Sequence, residues 1–304
     1  MSHPLRVAAI DFLNPAPLMW DFEHPPLATT LDRNYHRTYT QPSACAANLL
    51  SGEADLGLIP IAALTPELAI VPGCAIASLA EVRSIQLIVK RTTNPAAAPD
   101  DALRAVSTIA ADTASRSSLA YTQVLFRKFL DARPGFLPAP ADPVAMLRSA
   151  DAALLIGDPA LLALEAREQI EQQIGPCLWI DIAQEWRRRT GLPWVAAVWA
   201  VRPEALKPEA LANGNSAIGD SGPISAIQLI EDLTRSRDHG LAHIDDLVRE
   251  WTPRIALPPP TIHTYLTRNI HYHLDPDCLE ALHLFRRYAA EVDALPALPS
   301  PRFL

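Results

Sequence analysis

The tetrad Ser115-Arg116-Ser117-Ser118 stands immediately before an amphipathic stretch that runs to Leu130, with Leu119, Val124, Leu125 and Phe129 on its apolar side. Hydroxyls in that place cap a helix. The same helix end presents unpaired N–H groups and partial positive charge to an anion, so capping and anion binding are compatible. Asn14 follows the first apolar run of the chain, inside Asn14-Pro15-Ala16-Pro17. An amide there either shapes the turn before proline or donates to a ligand without adding charge. Ser84 opens another apolar run, Ser84 to Val89, and no Gly-x-Ser-x-Gly elbow surrounds it, so a covalent serine nucleophile is not expected. Gly157-Asp158-Pro159 closes a third run. Glycine there lets the backbone approach a ligand, the aspartate suits a helix N-cap, and the proline suits the first turn. His271 and His273 are spaced i, i+2 with no third ligand in a pattern such as H-E-x-x-H, so no metal is expected. Trp186, Trp194 and Trp199 read as core or lobe-interface residues.

The elements that must position these groups are legible as short apolar runs. Leu5 to Ile10, Tyr35 to Thr40, Leu56 to Ile59, Ala75 to Ser78 and Ser84 to Val89 read as strands. Ser43 is placed to cap a helix that Gly52 stops, and a short helix is expected near Ile61 to Leu64. After the Pro- and Ala-rich segment Thr92 to Pro99, a second α/β unit begins. It has strands at Val106 to Ala110, Ala152 to Ile156, Leu178 to Ile180 and Trp194 to Val201. From Pro203 the texture turns helical, with periodicity in Ile224 to Leu233, Ala242 to Trp251, Thr261 to Leu266 and Asp277 to Ala290. Ala212 to Gly222 reads as a loop or mobile linker. The pattern predicts an α/β chain of two lobes. Lobe I spans 1–93 and 202–304, with a helical C-terminal part; lobe II spans 94–201. Hinge strands are expected near Thr92 to Pro99 and Trp199 to Pro203. A cleft between such lobes suits a small anion, because strand-end loops and helix N-termini aim N–H groups inward.

A length of 304 residues agrees with about two domains. With 49% hydrophobic and 20% charged residues the chain can build a sizeable core, which excludes a largely disordered protein. Twenty-six cations against 34 acidic residues give a net charge of −8, and no basic stripe is visible, so nucleic acid is not an expected partner. Lysine contributes only Lys90, Lys128 and Lys207 to those cations, an arginine bias that lowers the weight of any single arginine. Cys45, Cys74, Cys177 and Cys278 are scattered without a C-x-x-C pair, which argues against a zinc site or disulfide framework and fits a reducing compartment. The first apolar run stops at Asp11, too short for a signal peptide, and no run is long enough to span a bilayer. A cytoplasmic, globular protein without membrane contact is the expectation.

Several separated segments together resemble the chorismate dehydratase family of the futalosine route to menaquinone. They are Arg6 to Asn14 with Pro17, Gly52 to Gly57, Glu81 to Ser84, Ser115 to Ser118, Asp151 to Asp158, and Trp186 followed by Thr190 to Pro193 and Ala197 to Ala200. Each is short, but their order covers nearly the whole chain. The resemblance implies a two-lobed fold like that of type II periplasmic-binding proteins. It also implies conversion of chorismate to 3-[(1-carboxyvinyl)oxy]benzoate and water, without a cofactor. By that resemblance Asn14 and Ser84 are the catalytic candidates: Asn14 orients the region of the ring hydroxyl, and Ser84 relays a proton or binds a carboxylate. Ser115, Arg116, Ser117, Ser118 and Gly157 are the substrate-binding candidates, with Arg116 either pairing with a carboxylate or bracing the lobe interface. No general base stands out, and a substrate carboxylate acting on its own ring proton is compatible with the family. Asp158 is not assigned to the ligand, since it would repel a dianion.

The chain departs from the family at Pro60-Ile61-Ala62-Ala63, where relatives often place a serine and then an acidic residue. That puts one binding contact in doubt. Two other readings remain: the naphthoate-forming enzyme of the same pathway, whose N-terminal motif differs, and a non-catalytic small-anion binding module. A homodimer is compatible with the sequence but not specified by it.

Overall fold

The computed structural model describes residues 3–91, 98–207 and 224–304. Among these residues, twelve strands form two sheets. The first sheet contains β1 (Leu5–Ile10), β2 (Tyr35–Thr40), β3 (Leu56–Pro60), β4 (Ala69–Ser78), β10 (Trp194–Val201), β11 (His271–Leu274) and β12 (Arg302–Phe303). Its order is β11-β4-β10-β3-β1-β2, with β12 beside β4. The second contains β5 (Ile85–Lys90), β6 (Thr108–Asp112), β7 (Gly135–Ala139), β8 (Ala152–Ile156) and β9 (Cys177–Asp181), in the order β7-β6-β8-β5-β9. Two mixed sheets with helices between the strands bear out the expected α/β, two-lobed class.

Strand membership moves the crossings. β5 pairs antiparallel with β8 and β9, so it belongs to the second sheet, while β10 lies antiparallel between β3 and β4 in the first. The chain thus leaves the first sheet within residues 79–84 and returns within 182–193, one strand earlier than the 93/94 and 201/202 boundaries read from the sequence. The first crossing is pinned by Asp181. Its carboxylate accepts the Val82 N–H at 3.0 Å and the Arg83 N–H at 2.6 Å, with Arg83 at a φ of 62°. The same carboxylate caps the helix Ile182–Thr190 through Ala183 and Gln184. Residues 92–97 of the expected crossover and the Ala212 to Gly222 loop lie outside the described residues.

The parallel pairings decide where ligand-facing loops emerge. β1 runs parallel to β2 and β3, and β6 runs parallel to β8. The carboxyl ends of β1, β3, β6 and β8 therefore open onto the loops that begin at Asp11, Ile61, Thr113 and Gly157, the end at which open α/β sheets bind ligands. β1, β3 and β8 are buried almost throughout, which is why they read as continuous apolar runs rather than alternating ones.

Local corrections have local causes. Ser43 is not a cap: the helix Pro42–Ser51 begins with proline in its first turn after Gln41, and no side chain caps it. It does end at Gly52, in the left-handed conformation expected of a stop. The expected helix from Ser117 is α-helical to Val124 and then widens into a π-turn, Leu125–Phe129. Val124 and Leu125 are buried, but Leu119 and Phe129 only partly so. Trp186, Trp194 and Trp199 are buried in the core. The four C-terminal helices are present as Ala226–Ala242, Ile244–Trp251, Pro259–Thr264 and Pro276–Glu291. No helix of the described residues is long and apolar enough to cross a membrane.

Candidate functional site

A cavity between the sheets encloses about 450 Å³, space open to solvent included. Each parallel carboxyl end contributes to its wall: Asn14 after β1, Pro60 at the end of β3, Ser115 to Ser118 after β6, and Gly157 after β8. Ile76, Ile85, Ile156, Ala196 and Ala197 supply apolar surface. A mostly apolar cavity with a few convergent polar groups is the form of a small-molecule site. A larger depression of about 890 Å³ lies against the last helix near Arg286, but none of the candidate residues reaches it.

The helix that starts at Ser117 enters this cavity uncapped. Arg116 takes the N-cap place with α-like dihedrals, and no side chain accepts from the first turn, so the expected serine capping does not occur. Ser117 is otherwise engaged: its hydroxyl donates to the Ala196 carbonyl at 3.0 Å and accepts the Ala62 N–H at 3.2 Å. It ties the second lobe to the first, which leaves its proton unavailable to a ligand. Ser115 is different. Its side chain is buried, lines the cavity, and its oxygen has no hydrogen-bond partner among the described residues. Unsatisfied buried hydroxyls are rare enough to call for an explanation. Arg116 also lines the cavity and is exposed. Ser118 lies in the wall, buried.

Asn14 and Ser84 do not touch in sequence, yet they converge on one atom. The Asn14 amide donates to the Tyr265 hydroxyl at 3.3 Å, and the Ser84 hydroxyl stands beside the same phenol, where it partly offsets the effect of burial on its pKa. Tyr265 is fully buried, and burial pushes its phenol well above the usual range, so it stays protonated. Ser84 itself is buried and not part of the cavity wall, which begins at Ile85. Tyr265 was not among the residues singled out from sequence. It sits in the helical C-terminal return, where nothing but tertiary packing marks it.

Gly157 has a φ of 62°, and a side chain there would meet the Phe12 ring at 2.5 Å. Its missing Cβ therefore makes room for Phe12 of the opposite lobe, a different use from the close approach to a ligand read in the sequence. The Gly157 N–H donates to the Ser84 carbonyl at 2.8 Å. Asp158 is not an N-cap: it lies inside the helix Gly157–Glu165, and its carboxylate accepts the Leu13 N–H at 3.0 and 3.3 Å. Burial pushes its carboxyl up to about 6, Asp11 adds to the shift, and the Leu13 hydrogen bond opposes it.

For a metal, the described residues offer one group of three, His271, Asp275 and Cys278, whose ligand atoms lie within 4.8 Å of one another. His271 Nε2 contacts Asp275 at 2.8 Å, and the Asp275 carboxylate caps the helix Pro276–Glu291. Burial pushes the Cys278 thiol up to about 12, so the group reads as a capped helix start. Of Pro60 to Ala63, only Pro60 lines the cavity, and its side chain brings no polar group.

Two sheets joined by two crossings, with a cavity at the parallel strand ends, define a two-lobed α/β protein of the periplasmic-binding-protein kind. The solved structures agree on the fold. A protein of Candida albicans described as having the generic periplasmic binding protein fold matches with a TM-score of 0.64 at 11% identity, over 99% of this chain and 97% of that one. The periplasmic aliphatic sulphonate binding protein of Escherichia coli matches with a TM-score of 0.60 at 16% identity, over 97% and 94%. A protein of Archaeoglobus fulgidus matches at 0.64 and 15% identity, over 96% and 98%. Within that class the chain belongs to the menaquinone biosynthesis family, whose sequence model matches residues 5–291. A curated relative from Thermus thermophilus, named chorismate dehydratase, is 28% identical over 243 residues, covering 76% of this chain and 78% of that protein.

Proposed function

We propose that this protein is a cytoplasmic carbon–oxygen lyase that eliminates water from chorismate to give 3-[(1-carboxyvinyl)oxy]benzoate. The observation that carries the reading is the unpartnered Ser115 hydroxyl beside an uncapped helix start in the cavity wall, a seat for one substrate carboxylate. Family membership and the Thermus relative supply the choice of anion. In the reaction the proton on the carbon bearing the ether is removed and the hydroxyl on the neighbouring carbon leaves with its electron pair. The ring becomes aromatic and one water is released. Aromatisation drives the reaction, so the barrier lies in breaking the C–H bond and in expelling a poor leaving group. Each tenfold in rate takes about 1.4 kcal/mol off that barrier.

Positioning accounts for much of such a rate. Asn14, fixed by Tyr265, donates toward the leaving hydroxyl, and Ser115 with the first amides of the helix holds a carboxylate. Arg116 adds positive charge at the cavity mouth. Ser84 acts through Tyr265 in this arrangement, as the link that keeps the phenol and Asn14 in line. The test is incubation of the purified protein with chorismate alone, with products read by mass spectrometry against a no-protein control. A product lighter by one water with aromatic absorbance is the expected result. Saturable binding of unchanged chorismate would instead make the protein a binding module, the role carried in the names of several of its structural neighbours.

A further inference from the structure

Asp158 spends a half-buried carboxylate on one bond. Among the described residues its only hydrogen-bond partner is the Leu13 N–H, which reaches it from the opposite lobe. Asp158 lies inside the first turn rather than at the cap, so the helix gains from it only the modest dipole term of an acidic residue near its start. Among the described residues no cation neutralises it by contact. The charged groups that face it are Asp11, one residue beyond β1, and Arg254, after the helix Ile244–Trp251. Arg254 is bonded to Glu250 at 2.8 Å and lies over the Trp251 ring. The Tyr265 phenol faces it from the C-terminal return, and stays neutral. A carboxylate kept in such a place against its solvation cost points to a role beyond local structure.

Leu13 precedes Asn14. Its carbonyl accepts the Ala16 N–H at 3.1 Å, and its own N–H is held by Asp158, so the peptide before Asn14 is fixed at both ends. Beside this bond Phe12 packs onto Gly157, and Gly157 in turn bonds the carbonyl of Ser84. The start of one helix in the second lobe thus touches the supports of both Asn14 and Ser84.

We propose that Asp158 is a positioning residue: by holding the Leu13 amide across the cleft it sets the direction in which Asn14 enters the cavity and keeps the two lobes in the arrangement that reacts. The catalytic half of this inference rests on the dehydratase reading; the structural half does not. Two measurements on the full chain separate them. Amide hydrogen exchange on the ligand-free protein reads the latch directly. Asp158→Ala should speed exchange at Leu13 tenfold or more while amides within β1 and β8 keep their protection. Asp158→Asn, which retains an acceptor oxygen and guards against a folding failure of the alanine variant, should fall between. Steady-state dehydration reads the consequence. Asp158→Ala should lower kcat at least tenfold with KM within threefold, and Asp158→Asn should recover part of the loss. In the wild type kcat should decline as pH falls below about 6, because protonation weakens the charge-assisted bond, and Asp158→Asn should lack that limb. Unchanged exchange at Leu13, a kcat within twofold of wild type, or a loss confined to KM overturns the proposal. Failure of the wild type to consume chorismate overturns the dehydratase reading instead, and leaves the exchange result to decide the latch.

Discussion

The ring of Phe12 fills the space where a side chain on Gly157 would stand, 2.5 Å from the position of its Cβ. The two residues belong to different lobes, so a single missing methyl lets the loop after β1 close against the end of β8. Gly157 also holds a φ of 62°, which an L side chain rarely adopts. Gly157→Ala should therefore destabilise the protein by about 1–3 kcal/mol, from strain and clash together. Adding Phe12→Leu should return the clash component but not the strain. Urea unfolding of both variants checks this, and a single variant as stable as wild type would show that the lobes do not pack so closely in solution.

Tyr265→Phe keeps the ring in its buried place and removes the one oxygen on which Asn14 and Ser84 converge. The Asn14 amide then loses its acceptor, and Ser84 loses its polar neighbour. Loss of a buried hydrogen bond costs about 1 kcal/mol in stability. The larger effect should be on turnover, a fall of about ten- to a hundredfold in kcat, because an unheld amide samples orientations that do not meet the leaving hydroxyl. Chorismate turnover beside a thermal melt separates the two. A variant that keeps wild-type kcat would remove Tyr265 from the site.

What could be read before folding follows from where each signal originates. β1, β3, β8 and β10 were legible because each is a short apolar run cut off by a residue that cannot continue it, such as Asp11 after Ile10. Their assignment to sheets was not legible: β5 and β10 are both buried on two faces, and nothing in an apolar run says which neighbour it pairs with. Asn14, Ser115, Arg116, Ser117, Ser118 and Gly157 came from family resemblance, and the strand ends bring all six to one wall. Their individual duties escaped the sequence. Ser117 was read as a ligand group, but the Ala196 carbonyl claims its proton. The serine cap failed because the Arg116 backbone is α-like, where a capping residue would be extended. Tyr265 and the Leu13–Asp158 bond are contacts across 251 and 145 residues, and no local pattern encodes them.

Burial pushes the carboxyl of Asp158 up to about 6 in the folded protein, against about 3.9 for an unperturbed aspartate. The sign of its effect on stability follows. Below the unfolded value both states carry the proton and Asp158 costs nothing. Between the two values the unfolded chain has released its proton while the folded protein retains it, so stability falls as pH rises. Above about 6 the full cost of the half-buried charge is present. Asp158→Asn should therefore raise the melting temperature at pH 8 and leave it nearly unchanged at pH 4, even though the same change lowers turnover. Such opposition is what a charge retained for function produces. Melting curves at the two pH values test it, and a variant less stable at pH 8 than wild type would mean that the Leu13 bond outweighs the burial.

Ser115 allows binding to be separated from folding. Its hydroxyl is buried and unpartnered in the ligand-free protein, so it contributes no hydrogen bond that Ser115→Ala would remove. Replacing an unsatisfied polar atom by nothing relieves a desolvation cost, and the variant should melt at the wild-type temperature or slightly above it. With chorismate bound the same hydroxyl should donate to a carboxylate beside the open helix start. A hydrogen bond to a charged group is worth roughly 1.5–3 kcal/mol, which predicts a rise of about ten- to a hundredfold in KM with kcat changed little. The backbone amides remain in the variant, so binding should weaken rather than vanish. Isothermal titration with the reaction product, paired with a melt, reads both quantities on one preparation. Unaltered affinity would place the carboxylate elsewhere in the cavity, whereas a lower melting temperature would mean that the hydroxyl already has a partner in solution.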